Sequence, residues 1–220
     1  MSIAANIEKI KQQLSQNIKL IAVSKTKPVE TLMEAYNSGQ KIFGENKVQE
    51  LVGKYEQMPK DIEWHMIGHL QSNKVKYIIP FVALIHSVDS ENLLIEINKQ
   101  AAKINKIQPV LLQISIADEE TKFGFEEAEL FKILKKYINH ELNHIEIVGL
   151  MGMATFTDNE EQITNEFAGL KTLFDKVKNE YFEHKESFNQ LSMGMSSDYK
   201  IAITNGSNLI RVGSSIFGGR

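Results

Sequence analysis

The chain has 220 residues, of which 42% are hydrophobic and 24% are charged, proportions typical of a soluble globular protein. Its net charge of −3 gives no electrostatic reason to expect binding to nucleic acid. It contains no cysteine, which excludes disulfides and thiolate metal sites and fits a reducing cytoplasm. No apolar run reaches about eighteen residues, so we expect a cytoplasmic protein with no membrane-spanning helix.

The first residues predict an amphipathic helix and not a signal peptide. Ile3, Ile7, Ile10 and Leu14 recur at spacings of four, three and four, which places them on one face of a helix. The segment lacks the continuous apolar core that a signal peptide needs.

Short apolar runs alternate with helical patterns along the rest of the chain. We predict strands at 18–24, 41–43, 62–66, 82–86, 108–115, 144–150, 188–191 and 209–212. We predict helices at 27–39, 45–54, 72–79, 90–104, 126–139, 159–183 and 196–204. Eight such units in a chain of this length predict one α/β domain over 1–220, a (β/α)8 TIM barrel with an extra N-terminal helix. An open doubly wound sheet is the structural alternative.

Small and polar residues cluster directly after most of the predicted strands. The clearest stretches are GENKVQE, IGHLQSNK, GLMGMAT, SMGMSSD and RVGSSIFGGR. In (β/α)8 barrels the carboxyl ends of the strands carry the active site, so the accumulation predicts a ligand site there. Each stretch by itself also fits a plain turn.

Lys25 lies at the end of the first predicted strand. By strand alternation it shares a face with Ile21 and Val23, which would bring its amine to the mouth of the barrel. Desolvation disfavours an ammonium ion, and a neutral amine can form a Schiff base with an aldehyde. For this stretch alone, a solvated lysine is the simpler interpretation. Lys27, in the loop before Pro28, is the weaker candidate.

Two segments near the C-terminus are suited to binding a phosphate. Ser196 and Ser197 fit the N-cap of the predicted helix 196–204, whose first N–H groups would be free. Gly213 and Ser214 offer a second set of backbone donors after the last strand. Barrels commonly hold phosphate at the loops after strands seven and eight, although either segment alone also fits a turn.

Arg211 lies inside the last predicted strand, and it is one of only two arginines among 25 basic residues. Burial of a guanidinium without a partner is unfavourable. It therefore either pairs with a core carboxylate, such as Glu45 or Asp89, or faces a ligand acceptor in the barrel mouth.

The remaining motifs of common enzyme sites are missing from the sequence. The six histidines show no metal-ligand spacing, and we expect no metal site. Walker, G-x-G-x-x-G and G-x-S-x-G patterns do not occur.

Six motifs in order, AVSKTKP, FGENKVQE, WHMIGHLQSNK, GLMGMA, LSMGMSSDY and IRVGSSIFGGR, closely resemble the pyridoxal phosphate homeostasis proteins. These are relatives of the alanine racemase N-terminal barrel, a type III fold for pyridoxal 5′-phosphate (PLP). The likeness runs from about residue 18 to the C-terminus, and it implies a barrel that holds this cofactor.

The resemblance also implies roles for individual residues. Lys25 matches the Schiff-base lysine of the family, and Arg211 matches the arginine that faces the pyridine nitrogen. Asn46 falls in a motif that lines the pocket. The phosphate-binding elements correspond to three residues after the last two strands: Ser196, Gly213 and Ser214.

The same resemblance bears on function. A permanent cation beside the pyridine nitrogen disfavours its protonation and makes the ring a weaker electron sink. Alanine racemase takes a second base, a tyrosine, from a β-rich domain for which we expect no room after the last strand. We therefore expect a monomeric protein of PLP homeostasis that buffers the cofactor or transfers it, with amino acids and apo-enzymes as further partners. The alternatives are a racemase-like enzyme and a phosphate-binding barrel without a Schiff base.

Overall fold

All eight predicted strands form in the computed structural model, which describes residues 2–117 and 123–219. They are β1 (Lys19–Val23), β2 (Ile42–Glu45), β3 (Glu63–Met66), β4 (Leu84–Val88), β5 (Gln108–Gln113), β6 (Ile145–Met151), β7 (Gln190–Ser192) and β8 (Leu209–Val212). The strands are parallel and pair in chain order, and β1 closes on β8. The predicted (β/α)8 barrel is therefore confirmed, and the open-sheet alternative is wrong.

Helices follow each of the eight strands, and one more precedes the barrel. They are α1 (Ile3–Lys11), α2 (Val29–Asn37), α3 (Val48–Gln57), α4 (Val75–Ile78), α5 (Glu91–Ala102), α6 (Glu127–Ile138), α7 (Glu160–Tyr181), α8 (Tyr199–Thr204) and α9 (Ser214–Phe217). A 3-10 turn at Ser72–Lys74 leads into α4. In the described ranges, no helix has the length and apolar character needed to cross a membrane.

Side chains of the strands alternate between two cores. Ile21 packs inside the barrel, whereas its neighbours Leu20 and Ala22 pack against the surrounding helices. This is the period of two that an extended strand dictates. The interior core closes the barrel below its carboxyl end and consists of Ile21, Leu84, Leu111, Val148, Met151 and Leu209.

The outer core contains the single tryptophan of the chain, Trp64 of β3, which is fully buried. Its ring lies 5.7 Å from that of Phe43, centroid to centroid, at a tilt of 41°. The pair fills the layer between β2 and β3 and the helices outside them.

Helix α1 braces the end of the chain beside the carboxyl end of β8. Asn6 donates a hydrogen bond to the carbonyl of Ile216, 2.9 Å away, and α1 packs against α9. The extra helix therefore supports a segment that lines the cavity described next.

Candidate functional site

A cavity of about 580 Å³ opens at the carboxyl ends of the strands, between the β1 and β8 sides of the barrel. This volume lies in the range typical of small-molecule sites. The residues that the sequence predicts for a ligand site all line it: Lys25, Asn46, Ser196, Arg211, Gly213 and Ser214. They come from four different strand ends, and only closure of the barrel brings them together.

Lys25 sits in a tight turn that begins where β1 ends. Thr26 adopts a left-handed backbone conformation with φ of 64°, and the Lys27 N–H donates to the Ser24 carbonyl at 3.1 Å. Lys27 also lines the cavity, but its Nζ donates to the Gly219 carbonyl at 3.0 Å. The turn thus gives the two lysines different surroundings.

An ion cluster behind this turn fixes its position. The buried amine of Lys54, on α3, lies 2.7 Å from Glu45 Oε1 and donates to the Ser24 carbonyl at 2.8 Å. The Ser24 hydroxyl donates to the same Glu45 oxygen at 2.5 Å. Glu50 accepts from the Thr26 N–H at 2.7 Å and lies 3.4 Å from the Lys54 amine. The cluster therefore hydrogen-bonds to Ser24 and Thr26, the two residues on either side of Lys25 in the turn.

The two carboxylates of the cluster differ in their pKa. Burial raises the pKa of Glu45, and the hydrogen bonds from Lys54 and Ser24 only partly oppose this effect. For Glu50, burial also raises the pKa, but the Thr26 N–H and the Lys54 charge outweigh it, and the pKa falls below its ordinary value. The stability of the cluster thus depends on the Lys54 charge.

Within residues 2–117 and 123–219, Arg211 pairs with no carboxylate, contrary to one of the two interpretations of the sequence. Glu45 pairs with Lys54, and Asp89 lies 2.7 Å from the ring of His69. The Arg211 guanidinium instead donates to the Ser192 hydroxyl at 2.5 Å and to the Gly152 carbonyl at 3.1 Å. Burial lowers its pKa to about 10, and the charge of Asp198 opposes this effect.

Beneath Arg211, two histidines continue the hydrogen bonding through the barrel. His86 Nδ1 lies 2.9 Å from Ser192 Oγ, and His86 Nε2 lies 2.9 Å from His65 Nδ1. Burial and the Lys19 charge lower the pKa of His65 to about 3. Burial, His65 and Arg211 hold the pKa of His86 well below its ordinary value. Both imidazoles are therefore neutral at neutral pH.

This histidine and serine chain is not among the site residues that the sequence predicts. Its signal was a polar residue inside an apolar strand, as in ALIHSV, where His86 and its neighbours are buried. A buried histidine is a common structural residue, so the pattern alone does not identify a neighbour of a ligand site.

The segment after β7 departs from the predicted helix. Helix α8 begins at Tyr199, with Asp198 at its N-cap position, so the predicted N-cap role of Ser196 and Ser197 is wrong. Asp198 Oδ1 accepts a hydrogen bond from the Met195 N–H at 2.5 Å, which closes a turn around both serines. Local side-chain bonds of this kind compete with helix formation.

Both serines nevertheless line the cavity, and Ser196 joins the two segments suited to phosphate. Its Oγ accepts from the Gly213 N–H at 3.1 Å, which leaves its own hydroxyl proton to donate elsewhere. The N–H groups of Ser214 and Ser215 bond to none of the residues in the described ranges. A Cβ at Gly213 would lie 3.2 Å from the Val23 carbonyl, so glycine allows β8 to end close to β1.

Asn46 follows β2 and lines the cavity next to Lys25. A Cβ at Gly68 would lie 2.7 Å from the Asn46 Cα and from its carbonyl oxygen. The glycine after β3 is therefore what lets the Asn46 backbone occupy this position. Within the two described ranges, no group of three or more His, Asp or Glu residues could hold a metal ion.

Comparisons with known proteins agree on one family. The family model described as the alanine racemase N-terminal domain matches residues 1–220. The chain is 42% identical over 203 residues to a pyridoxal phosphate homeostasis protein of Aquifex aeolicus, covering 92% of this chain and 87% of that protein.

Solved structures give the same result. PipY of Synechococcus elongatus without PLP has a TM-score of 0.92 at 33% identity, and its PLP-bound structure has a TM-score of 0.89 at 32% identity. Each match covers 99% of this chain and 100% of PipY. Alanine racemase from Streptomyces coelicolor has a TM-score of 0.79 at 15% identity, covering 99% of this chain and 58% of that one. This last likeness supports the fold alone.

Proposed function

Because the chain belongs to the family of pyridoxal phosphate homeostasis proteins, we propose that it binds PLP in the cavity and takes part in homeostasis of this cofactor. The observation that carries the proposal is that six residues from four strand ends converge on one cavity. PipY, the relative with 32% identity, holds PLP in its solved structure.

The donor set of the cavity fits the three functional groups of PLP. The cofactor has an aldehyde, a pyridine nitrogen that accepts a hydrogen bond, and a phosphate. The cavity offers the Lys25 amine for the aldehyde, the Arg211 guanidinium for the nitrogen, and the Ser196 hydroxyl with the Ser214 N–H for the phosphate. Backbone N–H groups and hydroxyls of this kind are common phosphate ligands.

In this proposal Lys25 is the covalent anchor. The Lys25 amine would hold the aldehyde carbon of PLP as a Schiff base, and the aldehyde oxygen would leave as water. The cluster of Lys54, Glu45 and Glu50 holds the turn that presents Lys25. Asn46 lines the cavity beside it.

The surroundings of Arg211 favour storage of the cofactor over chemistry on it. Bound PLP can act as an electron sink, and this capacity depends on protonation of its ring nitrogen. Among the described residues the Arg211 guanidinium hydrogen-bonds to neutral groups alone, and its charge would oppose protonation of a ring nitrogen held beside it. The protein therefore holds PLP and releases it to an incoming amine.

We further propose the setting of this activity. The barrel acts as a single domain over 1–220 and as a monomer in the cytoplasm. Amino acids supply the amines that accept the cofactor, and apo-enzymes receive it.

Borohydride reduction tests the covalent anchor. The wild-type protein is incubated with PLP, reduced and digested, and fragment sequencing identifies the modified lysine. We expect the adduct on Lys25, its loss in Lys25→Ala, and its retention in the matched variant Lys27→Ala. A wild-type protein that binds PLP without any adduct would instead indicate a phosphate-binding barrel without a Schiff base.

Turnover separates storage from a racemase-like activity. Wild-type protein and Lys25→Ala are incubated with L-alanine and PLP, and D-alanine is measured by chiral chromatography. We expect the wild-type protein to form no more D-alanine than Lys25→Ala forms. D-alanine formation that is lost in Lys25→Ala would support the racemase-like alternative.

A further inference from the structure

A continuous hydrogen-bond chain runs from the cavity into the barrel interior. It links the Arg211 guanidinium, the Ser192 hydroxyl, and the rings of His86 and His65, with distances of 2.5, 2.9 and 2.9 Å. All four side chains are buried, and they come from four strands, β8, β7, β4 and β3. None of the three residues below Arg211 lines the cavity.

The direction of this chain follows from its first member. A guanidinium can only donate, so Ser192 Oγ accepts from Arg211. The hydroxyl proton of Ser192 then has one partner on the described residues, His86 Nδ1, which must accept it. The proton of neutral His86 therefore lies on Nε2 and is donated to His65 Nδ1, so His65 also carries its proton on Nε2. The reverse direction would leave a buried hydroxyl proton without an acceptor, which is unfavourable.

The chain has two effects on Arg211. The Ser192 hydroxyl and the Gly152 carbonyl fix two of its nitrogens in space and thereby orient the planar guanidinium. Because every member below Arg211 is neutral, the chain supplies an acceptor without cancelling the positive charge. An aspartate in the same place would orient the guanidinium as well, but it would neutralise it.

We infer that Ser192 and His86 are positioning residues, which hold Arg211 charged and aimed at the ring nitrogen of the cofactor. The inference rests on the proposed function, since it takes the ligand to be PLP. It adds that the affinity for the ring nitrogen depends on two residues that do not touch the ligand.

A pair of ligands isolates this effect. Dissociation constants are measured for PLP and for its carbocyclic analogue, in which a C–H group replaces the ring nitrogen. For Ser192→Ala we expect PLP to bind about fivefold more weakly, since a charged hydrogen bond loses its alignment, and the analogue to change by less than about twofold. The control Ser87→Ala removes a buried hydroxyl that bonds to the Gly68 carbonyl, and it should affect both ligands equally.

Two variants of His86 test the same point through a second residue. Asparagine can keep an acceptor near the position of Nδ1, whereas leucine cannot. We expect His86→Asn to retain most of the preference of the wild-type protein for PLP over the analogue, and His86→Leu to lose it. The absorbance band of the bound cofactor should shift in His86→Leu and Ser192→Ala, and stay in place in His86→Asn and Ser87→Ala.

The ligand-free wild-type protein provides a test that needs no variant to fold. Nitrogen-15 NMR of the imidazole rings should find both His65 and His86 neutral, with the proton on Nε2. A proton on His86 Nδ1, or equal loss of both ligands in Ser192→Ala, would overturn the inference. Failure of the wild-type protein to bind PLP at all would instead overturn the proposed function, while the NMR result would stand by itself.

Discussion

Two buried cations lie on opposite sides of the cavity, and they differ in their hydrogen-bond partners. Lys54, behind the β1 side, is 6% exposed and lies within 3.4 Å of two carboxylates, Glu45 and Glu50. Arg211, on the β8 side, is 3% exposed, and its guanidinium bonds to a hydroxyl and a carbonyl and to no carboxylate of the described ranges. The charge of Lys54 is therefore neutralised by carboxylates inside the fold, whereas the charge of Arg211 remains available to a ligand.

Within one site, the charge of Lys54 thus serves the stability of the fold, and the charge of Arg211 serves ligand binding. A buried charge is tolerated when it is paired and fully hydrogen-bonded, and it is otherwise unfavourable. The lowered pKa of Arg211, about 10, reflects that unfavourable burial. The structure tolerates this burial at Arg211, where the cavity lies above the guanidinium. This contrast predicts that substitutions at the two positions have different effects on stability and on ligand binding.

Replacement of Lys54 should destabilise the fold strongly. In Lys54→Met, Glu45 stays buried without its cation, and we expect the free energy of unfolding at neutral pH to fall by about 3–5 kcal/mol. Urea denaturation measures the change. Because the pKa of Glu45 is raised in the folded state, protonation relieves the defect, and the loss should shrink as the pH falls towards the ordinary pKa of a glutamate.

Two further variants control for this result. Lys41→Met breaks an exposed ion pair with Asp61 and should leave the unfolding curve nearly unchanged. The double variant Glu45→Leu/Lys54→Met removes both buried charges and should recover most of the loss. If the double variant is as unstable as the single one, the ion pair is not the source of the effect.

Replacement of Arg211 should have the opposite profile. In Arg211→Met we expect the free energy of unfolding to change by no more than about 1 kcal/mol, since the buried charge disappears with its partners still neutral. We expect PLP to bind roughly tenfold to a hundredfold more weakly, which corresponds to the loss of one charged hydrogen bond.

Titration of the cofactor into Arg211→Met and urea denaturation of the same sample measure both quantities. Arg211→Lys should bind PLP more tightly than Arg211→Met and more weakly than the wild type, because lysine keeps the charge and loses the planar fork. A large loss of stability in Arg211→Met, with unchanged affinity, would make Arg211 a structural residue like Lys54.

The neutral state of His65, below Arg211, should make the stability of the protein depend on pH. The folded protein keeps His65 neutral down to a pKa of about 3, whereas the unfolded chain protonates it near 6.5. The free energy of unfolding should therefore fall as the pH drops from 6.5 towards 3, by at most about 1.4 kcal/mol per pH unit for this residue.

His65→Asn keeps an acceptor for His86 and removes this titration, so its unfolding free energy should depend less steeply on pH. Denaturation series at pH 7, 6, 5 and 4 compare it with the wild type. His184→Asn, at a fully exposed position, should leave the slope unchanged. An equal slope in His65→Asn and the wild type would mean that His65 does not stay neutral when folded.

The smallest effect concerns the turn on the Lys54 side. Thr26 has a φ of 64°, a conformation unfavourable for a β-branched residue and free for glycine. We expect Thr26→Gly to raise the free energy of unfolding by less than about 1 kcal/mol. Thr31→Gly, within α2, should lower it by about that amount, because glycine disfavours a helix. If Thr26→Gly lowers the free energy of unfolding as much as Thr31→Gly does, the backbone at Thr26 is not strained.

The fold could be predicted from the sequence because its signals are local. Strands buried on both faces appear as short apolar runs, and all eight were found within a few residues of their true bounds. The clearest shift is at Glu45, predicted to begin a helix, which is the last residue of β2. The approach of Lys25 to the barrel mouth followed from strand alternation with Ile21 and Val23.

The partners of the buried charges could not be predicted, because they depend on closure of the barrel. Ser192 and His86 are 106 residues apart, and nothing near either of them indicates the other. For Arg211 the sequence predicts either a core carboxylate or a ligand acceptor as the partner, and neither alternative indicates the Ser192 hydroxyl and the Gly152 carbonyl to which it bonds. The predicted N-cap role of Ser196 and Ser197 is wrong because Asp198 closes a turn around both serines, and the helix begins after it.

The lone tryptophan gives these experiments a built-in optical probe. Trp64 is fully buried against Phe43 and directly precedes His65 in β3. Light that excites only indole will report from this single position, because no second indole contributes to the emission. Fluorescence can therefore follow each denaturation series without an attached dye, and in His65→Asn it reports from the strand that carries the substitution.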